Sequence, residues 1–222
     1  MQQTPVHDVH NPDLLRLIPK KSNKIIEVGC SSGALAHAFK EITPECDWLG
    51  VDIDPSYAEL AKRFCDETIA MDIELAGSDF YKRQTSRDCW IFGDTLEHLK
   101  DPWNILREIR KVLPKDGCIV ACIPNAQHWS IIAKLSVGEF RYEDSGLLDR
   151  THLRWFTKQT IIELFTTTGY KIIEGYPRVF EEPNRDRFLP MIGEIAKICG
   201  VDPNIAINDA TPLQYVVRAE PS

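Results

Sequence analysis

The chain has 222 residues, 43% of them hydrophobic, with a net charge of −7 and a pI near 5.4. That length suits one domain with an added lid or insertion, and the acidic balance argues against a broad nucleic-acid-binding surface. No apolar run approaches the ~20 residues of a membrane-spanning helix.

The first residues are polar and carry no apolar signal core, so a cytoplasmic protein is expected. KIIEVG is a short apolar run ending at Gly29, too short for a helix and read as a strand. SGALAHAFKEI follows with a helical stripe of Leu35, Ala38, Phe39 and Ile42. DWLGVDID is a second strand, and Pro55 suits the first turn of the helix PSYAELAKRFC. ETIAMD and DCWIFGD are the third and fourth strands. Asp101-Pro102 reads as the cap and first residue of a helix whose inner face is Trp103, Leu106, Ile109, Val112 and Leu113. GCIVACIPN is the fifth strand.

Strands separated by helices of this length predict a parallel sheet with right-handed crossovers and helices on both faces. Ligands of such sheets bind beyond the carboxyl ends of the strands, a rim marked here by Gly29, Asp52, Asp72, Asp94 and Asn125. Residues 126–156 break the alternation and are expected to form a lid over that rim. TKQTIIELFTTTG then restores a helix capped by Thr157. YKIIEGYPRVF and PLQYVVRAE are two more strands, flanking a helix around RFLPMIGEIAKICG; they are expected at an antiparallel edge. The seven cysteines are scattered and odd in number, which suits reduced thiols rather than disulfides or zinc.

The bend after the first strand, Gly29-Cys-Ser-Ser-Gly33, lacks the middle glycine that lets a backbone approach a pyrophosphate; position 31 is Ser. Glu27 lies two residues before the bend, where it would repel a phosphate. A cationic nucleoside removes both difficulties, with Asp52 accepting from its ribose hydroxyls. A nicotinamide-dependent oxidoreductase is disfavoured on the same grounds.

The motifs E-V-G-C-S-S-G, G-V-D-I-D, A-M-D and F-G-D-T-L-E-H-L-K-D-P-W, in this order over residues 12–175 or so, resemble the class I S-adenosylmethionine-dependent methyltransferases. The resemblance implies a single methyltransferase domain over 1–222: a Rossmann-like α/β fold with a seven-stranded, mostly parallel sheet, its last strand antiparallel. It implies S-adenosylmethionine as cofactor and S-adenosylhomocysteine as product. The bend from Gly29 through Ser31 to Gly33 would approach the cofactor's amino-acid and ribose parts, with Glu27 supporting it. Asp52 would take the ribose hydroxyls, Ile53 pack near the adenine, and Asp72 meet the adenine amino group beside Met71 and Ile73. Gly93 and Asp94 would lie near the methionine portion. Ser31 stands where this family commonly has a glycine, which predicts a slightly wider bend.

GEFRYEDSGLLDRTHLRWFT, with IPNAQHW and NPDLLRLIP, looks like methyltransferases associated with glycosyltransferases and polysaccharide pathways; Thr151-His152 resembles the Thr-His of ubiquinone-type O-methyltransferases. This implies a small-molecule or glycan acceptor, with O-methylation of a sugar hydroxyl foremost. N-methylation of a small metabolite and a non-catalytic cofactor-binding module are the alternatives. DNA methylation is disfavoured, since G-D-T-L is not the Asn/Asp-Pro-Pro-aromatic type. His128 and His152 are the candidate bases; either can instead serve only to hold the lid together. Trp129, Phe140, Tyr142 and Trp155 either line an acceptor pocket or form the lid's own small core. Asp149 is read as pairing with Arg150 or Arg154. Glu97 and His98 are either metal ligands or the start of a helix; adjacent residues are expected to point apart, which favours the helix-start role, and no metal site is expected.

Overall fold

The structure, a computed structural model, describes residue 6 and residues 8–222. Its centre is a seven-stranded sheet in the order β3-β2-β1-β4-β5-β7-β6. β1 (Lys24–Val28), β2 (Asp47–Asp52), β3 (Glu67–Ala70), β4 (Cys89–Gly93) and β5 (Cys118–Pro124) run parallel. β7 (Gln214–Pro221) runs antiparallel to both β5 and β6 (Tyr170–Arg178). The expected sheet is therefore found, antiparallel edge included. Every β5 residue before its terminal Pro124 is buried, as in a strand covered on both faces. The outer strand β6 alternates instead.

One face of the sheet is covered by α4 (Ser78–Arg83), α5 (Pro102–Arg110) and α7 (Lys158–Thr167), which pack Phe80, Ile105, Ile109, Leu164 and Phe165 against Trp90 and Phe92. The other is covered by α1 (Pro12–Leu17), α2 (Ala34–Lys40) and α3 (Pro55–Ala61), with Leu17, Phe39 and Ala61 against Ile25, Trp48 and Ile91. Asp54 caps α3 and Asp101 caps α5, each ahead of a proline, and Thr157 caps α7 in a capping box. On α5, Ile105 is buried and Trp103 only partly so; Val112, expected on the same face, lies beyond the helix's end and is also partly buried. All seven cysteines are free thiols, and all but Cys199 are buried. Among the described residues, no helix is long and apolar enough to cross a membrane.

A smaller core stands beside the sheet. α6 (Trp129–Ser136) packs on α8 (Arg185–Ile198), which packs on α9 (Pro203–Ala210), with Trp129, Ile192, Ala196 and Ala210 at its centre. α1, α4 and α9 are elements the sequence reading did not assign.

The segment 126–156 leaves and returns at one place: the Ala126 N–H donates to the Phe156 carbonyl at 2.7 Å, and Asn125 bridges Phe156. Between those points lie α6 and an irregular stretch that includes a Glu143–Asp149 bridge.

Candidate active site

The strand order reverses between β1 and β4, so their connections leave on opposite faces and open a crevice at the carboxyl end. A cavity of about 450 Å³ sits there, lined by Glu27, Gly29, Ser31, Gly93 and Asp94 among others. That volume is within the range of small-molecule sites. Five of the expected cofactor residues thus meet around one space.

The bend is held by its backbone. Gly29 and Gly33 have φ of 77° and 79°, the left-handed region. Ser31 has φ of 47°, so it adopts the conformation a glycine would favour. The glycines are needed for packing as well. A Cβ on Gly29 would lie 2.5 Å from Thr95 Oγ1, and one on Gly33 would lie 3.2 Å from the Ala61 Cα. The bare side of Gly33 therefore faces α3, so its glycine is explained by chain packing.

Asp52 locks the bend from the neighbouring strand. Its Oδ2 accepts from the Ser31 N–H and its Oδ1 from the Asp54 N–H, both at 2.9 Å. A carboxylate has about four acceptor sites, so sites for ribose hydroxyls remain. Glu27 is buried and accepts from Trp48 Nε1 at 3.2 Å. Burial pushes its pKa to about 8; the Trp48 hydrogen bond pulls down and the Asp52 charge pushes up. The carboxyl is therefore mostly neutral near pH 7, and a cation in the cavity would ionise it.

The other expected residues are distributed differently. Ile53 is 51% exposed at the rim, an apolar surface free to meet a flat ring. Met71 is partly buried against the core. Asp72 caps the short 3-10 turn Ile73–Leu75, accepting from the Glu74 N–H. Ile73 turns inward and belongs to the main core, which corrects its expected place beside the adenine. Asn125 is also not a rim residue: it is fully buried and donates to the Asp209 and Pro212 carbonyls.

The cavity also has walls the sequence reading missed. Asn11 and Pro12 come from the start of α1, and Arg178 and Gln214 from the antiparallel edge. Arg178 pairs with Asp13 at 2.8 Å and also bonds Gln214, while Gln214 donates to Asp94. The only sequence signal for this wall was the NPDLLRLIP stretch.

The two histidines are not brought together. His128 is 0% exposed and caps α6; its Nδ1 accepts from the Ser130 N–H, and its Nε2 lies 3.0 Å from Glu182 Oε2. Nδ1 is occupied by Ser130 and Nε2 faces Glu182 while fully buried, so the side chain expected as a base here sits between α6 and the segment before α8. Burial lowers its pKa, against the pull of Glu182.

His152 has a different setting. Its ring lies edge-on to His98, centroids 4.8 Å apart, and its Nε2 is 4.0 Å from Glu97 Oε1. Glu97 and His98 end the 3-10 turn Leu96–His98, which follows Asp94 directly after β4. One ligand atom from each of Glu97, His98 and His152 lies within 4.8 Å of the others. The expectation that Glu97 and His98 point apart is thus corrected: the tight turn and the return of the 126–156 segment bring all three together. Burial pushes Glu97 well above the carboxylate range, with the Asp94 charge adding to it. Burial and then the His98 ring hold His152 at about 4. Asp149 accepts from the Thr151 N–H and hydroxyl, at 2.7 and 2.6 Å, while Arg150 pairs with Asp144.

Beside His152, Trp155 meets Phe140 at 5.6 Å, and Phe140 meets Tyr142 at 5.8 Å, all three at least a third exposed. Trp129 instead belongs to the small core, stacked on Phe188.

A methyltransferase-domain family model matches residues 8–174. The chain belongs to that family. This methyltransferase therefore takes its methyl group from S-adenosylmethionine, and the bend, Asp52 and the acidic cavity fit such a cationic nucleoside. Solved structures agree in fold. An S-adenosylmethionine-dependent methyltransferase from Archaeoglobus fulgidus is 18% identical with a TM-score of 0.64, over 94% of this chain and 91% of that one. One from Thermotoga maritima, described as a possible histamine N-methyltransferase, is 15% identical with a TM-score of 0.62, over 94% and 86%. The plantazolicin methyltransferase BpumL, solved with S-adenosylhomocysteine, is 17% identical with a TM-score of 0.59, over 95% and 80%. Among curated proteins, nothing matches.

Proposed function

We propose that this methyltransferase methylates an oxygen of a small molecule or glycan, foremost a sugar hydroxyl, with 126–156 as the lid of the acceptor site. The observation that carries the reading is the polar group of Glu97, His98 and His152 at the carboxyl end of β4, next to the aromatic surface of Phe140, Tyr142 and Trp155. Aromatic faces suit the apolar faces of sugar rings. Glu27, Gly29, Ser31, Gly33, Asp52 and Ile53 hold the cofactor from the β1 and β2 side, Met71 and Asp72 from β3, and Gly93 and Asp94 from β4.

The sulfonium is already activated, so the chain's main task is to align the acceptor oxygen, the methyl carbon and the sulfur. Such alignment lowers a barrier by ~7–11 kcal/mol. A sugar hydroxyl must also lose its proton, and in this reading the base is His152, which lies beside Glu97 and Trp155. His128 acts indirectly, by capping α6 and facing Glu182.

The test offers methyl-labelled S-adenosylmethionine to a panel of glycosides, phenols and amines of matched size, with products read by mass spectrometry and carbon NMR. Methyl ethers of glycosides are expected. N-methyl products alone would overturn the oxygen assignment. Cofactor binding without any product across the panel would favour a binding module.

A further inference from the structure

Glu97 presents an unsolved problem of burial. It is 1% exposed, and neither carboxylate oxygen receives a hydrogen bond from another described residue. Leaving a buried polar group unsatisfied costs ~1–3 kcal/mol, and more if it is charged. Such a group calls for a partner that is not a protein atom. What surrounds it is the donor set of a metal site. His152 Nε2 is 4.0 Å from Glu97 Oε1, and the His98 ring lies against the His152 ring.

The surroundings also prepare the two imidazoles as ligands. His98 Nδ1 is 3.0 Å from the Thr151 hydroxyl and 3.2 Å from the Thr151 carbonyl. The Thr151 hydroxyl donates to Asp149 Oδ1 at 2.6 Å, so it accepts from His98. This chain puts the His98 proton on Nδ1 and leaves the Nε2 lone pair free. Ligating histidines are commonly oriented in this way, through the other ring nitrogen. The His152 ring is turned toward Glu97, its Nε2 4.0 Å from Glu97 Oε1, so that nitrogen is the one presented to a cation.

We infer that Glu97, His98 and His152 form a binding site for one divalent transition-metal cation, with open positions toward the acceptor. Two imidazoles and a carboxylate suit zinc, manganese, cobalt or iron better than magnesium, which prefers oxygen ligands. Bonds of ~2.0–2.2 Å place ligand atoms roughly 3.3 Å apart in a tetrahedral site, so these side chains close by about an ångström. The three-ligand set leaves a position for an oxygen, as in catalytic rather than structural sites.

The role of the cation rests on the oxygen-acceptor reading; its binding does not. An acceptor hydroxyl on the metal becomes more acidic and releases its proton to solvent. The oxygen then forms a bond to the methyl carbon as the carbon–sulfur bond breaks, and that electron pair goes to sulfur, giving neutral S-adenosylhomocysteine. With the cation bound, His152 is a ligand in place of the base role proposed above, and the metal supplies the acidification of the hydroxyl.

The experiment uses the full chain, freed of metal by chelator and saturated with S-adenosylhomocysteine. Cobalt(II) is titrated in, with visible ligand-field absorption and calorimetry as readouts and zinc(II) as competitor. One cobalt per chain is expected, displaced by zinc. Thr151→Val, which leaves the three ligands in place, should weaken cobalt binding by ~10–100-fold. Glu97→Gln should weaken it further. Retained S-adenosylhomocysteine affinity and circular dichroism serve as the controls for folding. The inference is overturned if no ligand-field band develops, or if both folded variants bind cobalt as tightly as the parent. Cobalt binding by a protein that methylates only amines would sink the oxygen reading and keep the metal site.

Discussion

Glu27 is an acid whose burial decides what it can do. Its carboxyl is shifted from the ordinary 4.5 to about 8, chiefly by burial. The folded chain therefore holds a proton that the unfolded chain has released between those values. Stability from this group is complete below about 4.5 and is lost as pH rises through about 8. In the ligand-free protein, Glu27→Gln should flatten the fall of Tm between about pH 5 and 8, read by differential scanning calorimetry. A cationic cofactor in the cavity favours the ionised form, so binding near neutral pH should release a proton. That release appears as a binding enthalpy that changes with the buffer's ionisation heat. It should disappear in Glu27→Gln; an unchanged buffer dependence would place the titrating group elsewhere. The sequence revealed the position of Glu27 inside an apolar run, but its protonation state depends first on how deeply the fold buries it, and then on Trp48 and Asp52 of the next strand.

At the scale of elements, the junction between β1 and α2 carries the site. Its conformation requires three departures from ordinary backbone at alternate positions, Gly29, Ser31 and Gly33. Gly33→Ala would keep the site's chemistry but place a Cβ 3.2 Å from the Ala61 Cα in a left-handed conformation. Such a residue costs ~1–2 kcal/mol from backbone alone, and the contact adds to it. Urea denaturation should show at least that loss, with weaker S-adenosylhomocysteine binding in calorimetry as the bend shifts. A variant as stable as the parent would mean that α3 moves aside without penalty. The spacing of the glycines was legible in the chain. The reason for Gly33 was not, because Ala61 lies 28 positions further along and only the docking of α3 brings it near.

At the scale of the molecule, the enzyme has two cores on the sheet and a third beside it. The third is small and rests on Trp129, which stacks on Phe188 at 5.6 Å and donates to Glu182 at 2.8 Å. Trp129→Ala should cost ~3–5 kcal/mol locally, the usual range for emptying a large aromatic site. Hydrogen exchange should then rise in α6, α8 and α9 while the amides of β1, β4 and β5 keep their protection. Uniform loss of protection would show that the small core folds as one unit with the sheet.

The chain's periodicity by itself determined the alternation of β1 through β5 with their helices, because buried parallel strands read as unbroken apolar runs and proline-started helices announce their first turns. It also pointed to the class of ligand, since an acid, Glu27, before a bend without its middle glycine disfavours a phosphate. Tertiary structure decided the rest. α1 and α9 are short and were not legible as helices, and α8 was noticed without its packing partner; they matter through what they touch. His128 became a cap because Ser130 occupies its Nδ1, while its buried Nε2 faces Glu182. Glu97, His98 and His152 became one group only when the 126–156 segment returned to Phe156 and brought His152 back to Glu97, 55 positions away in the chain, which no local pattern encodes.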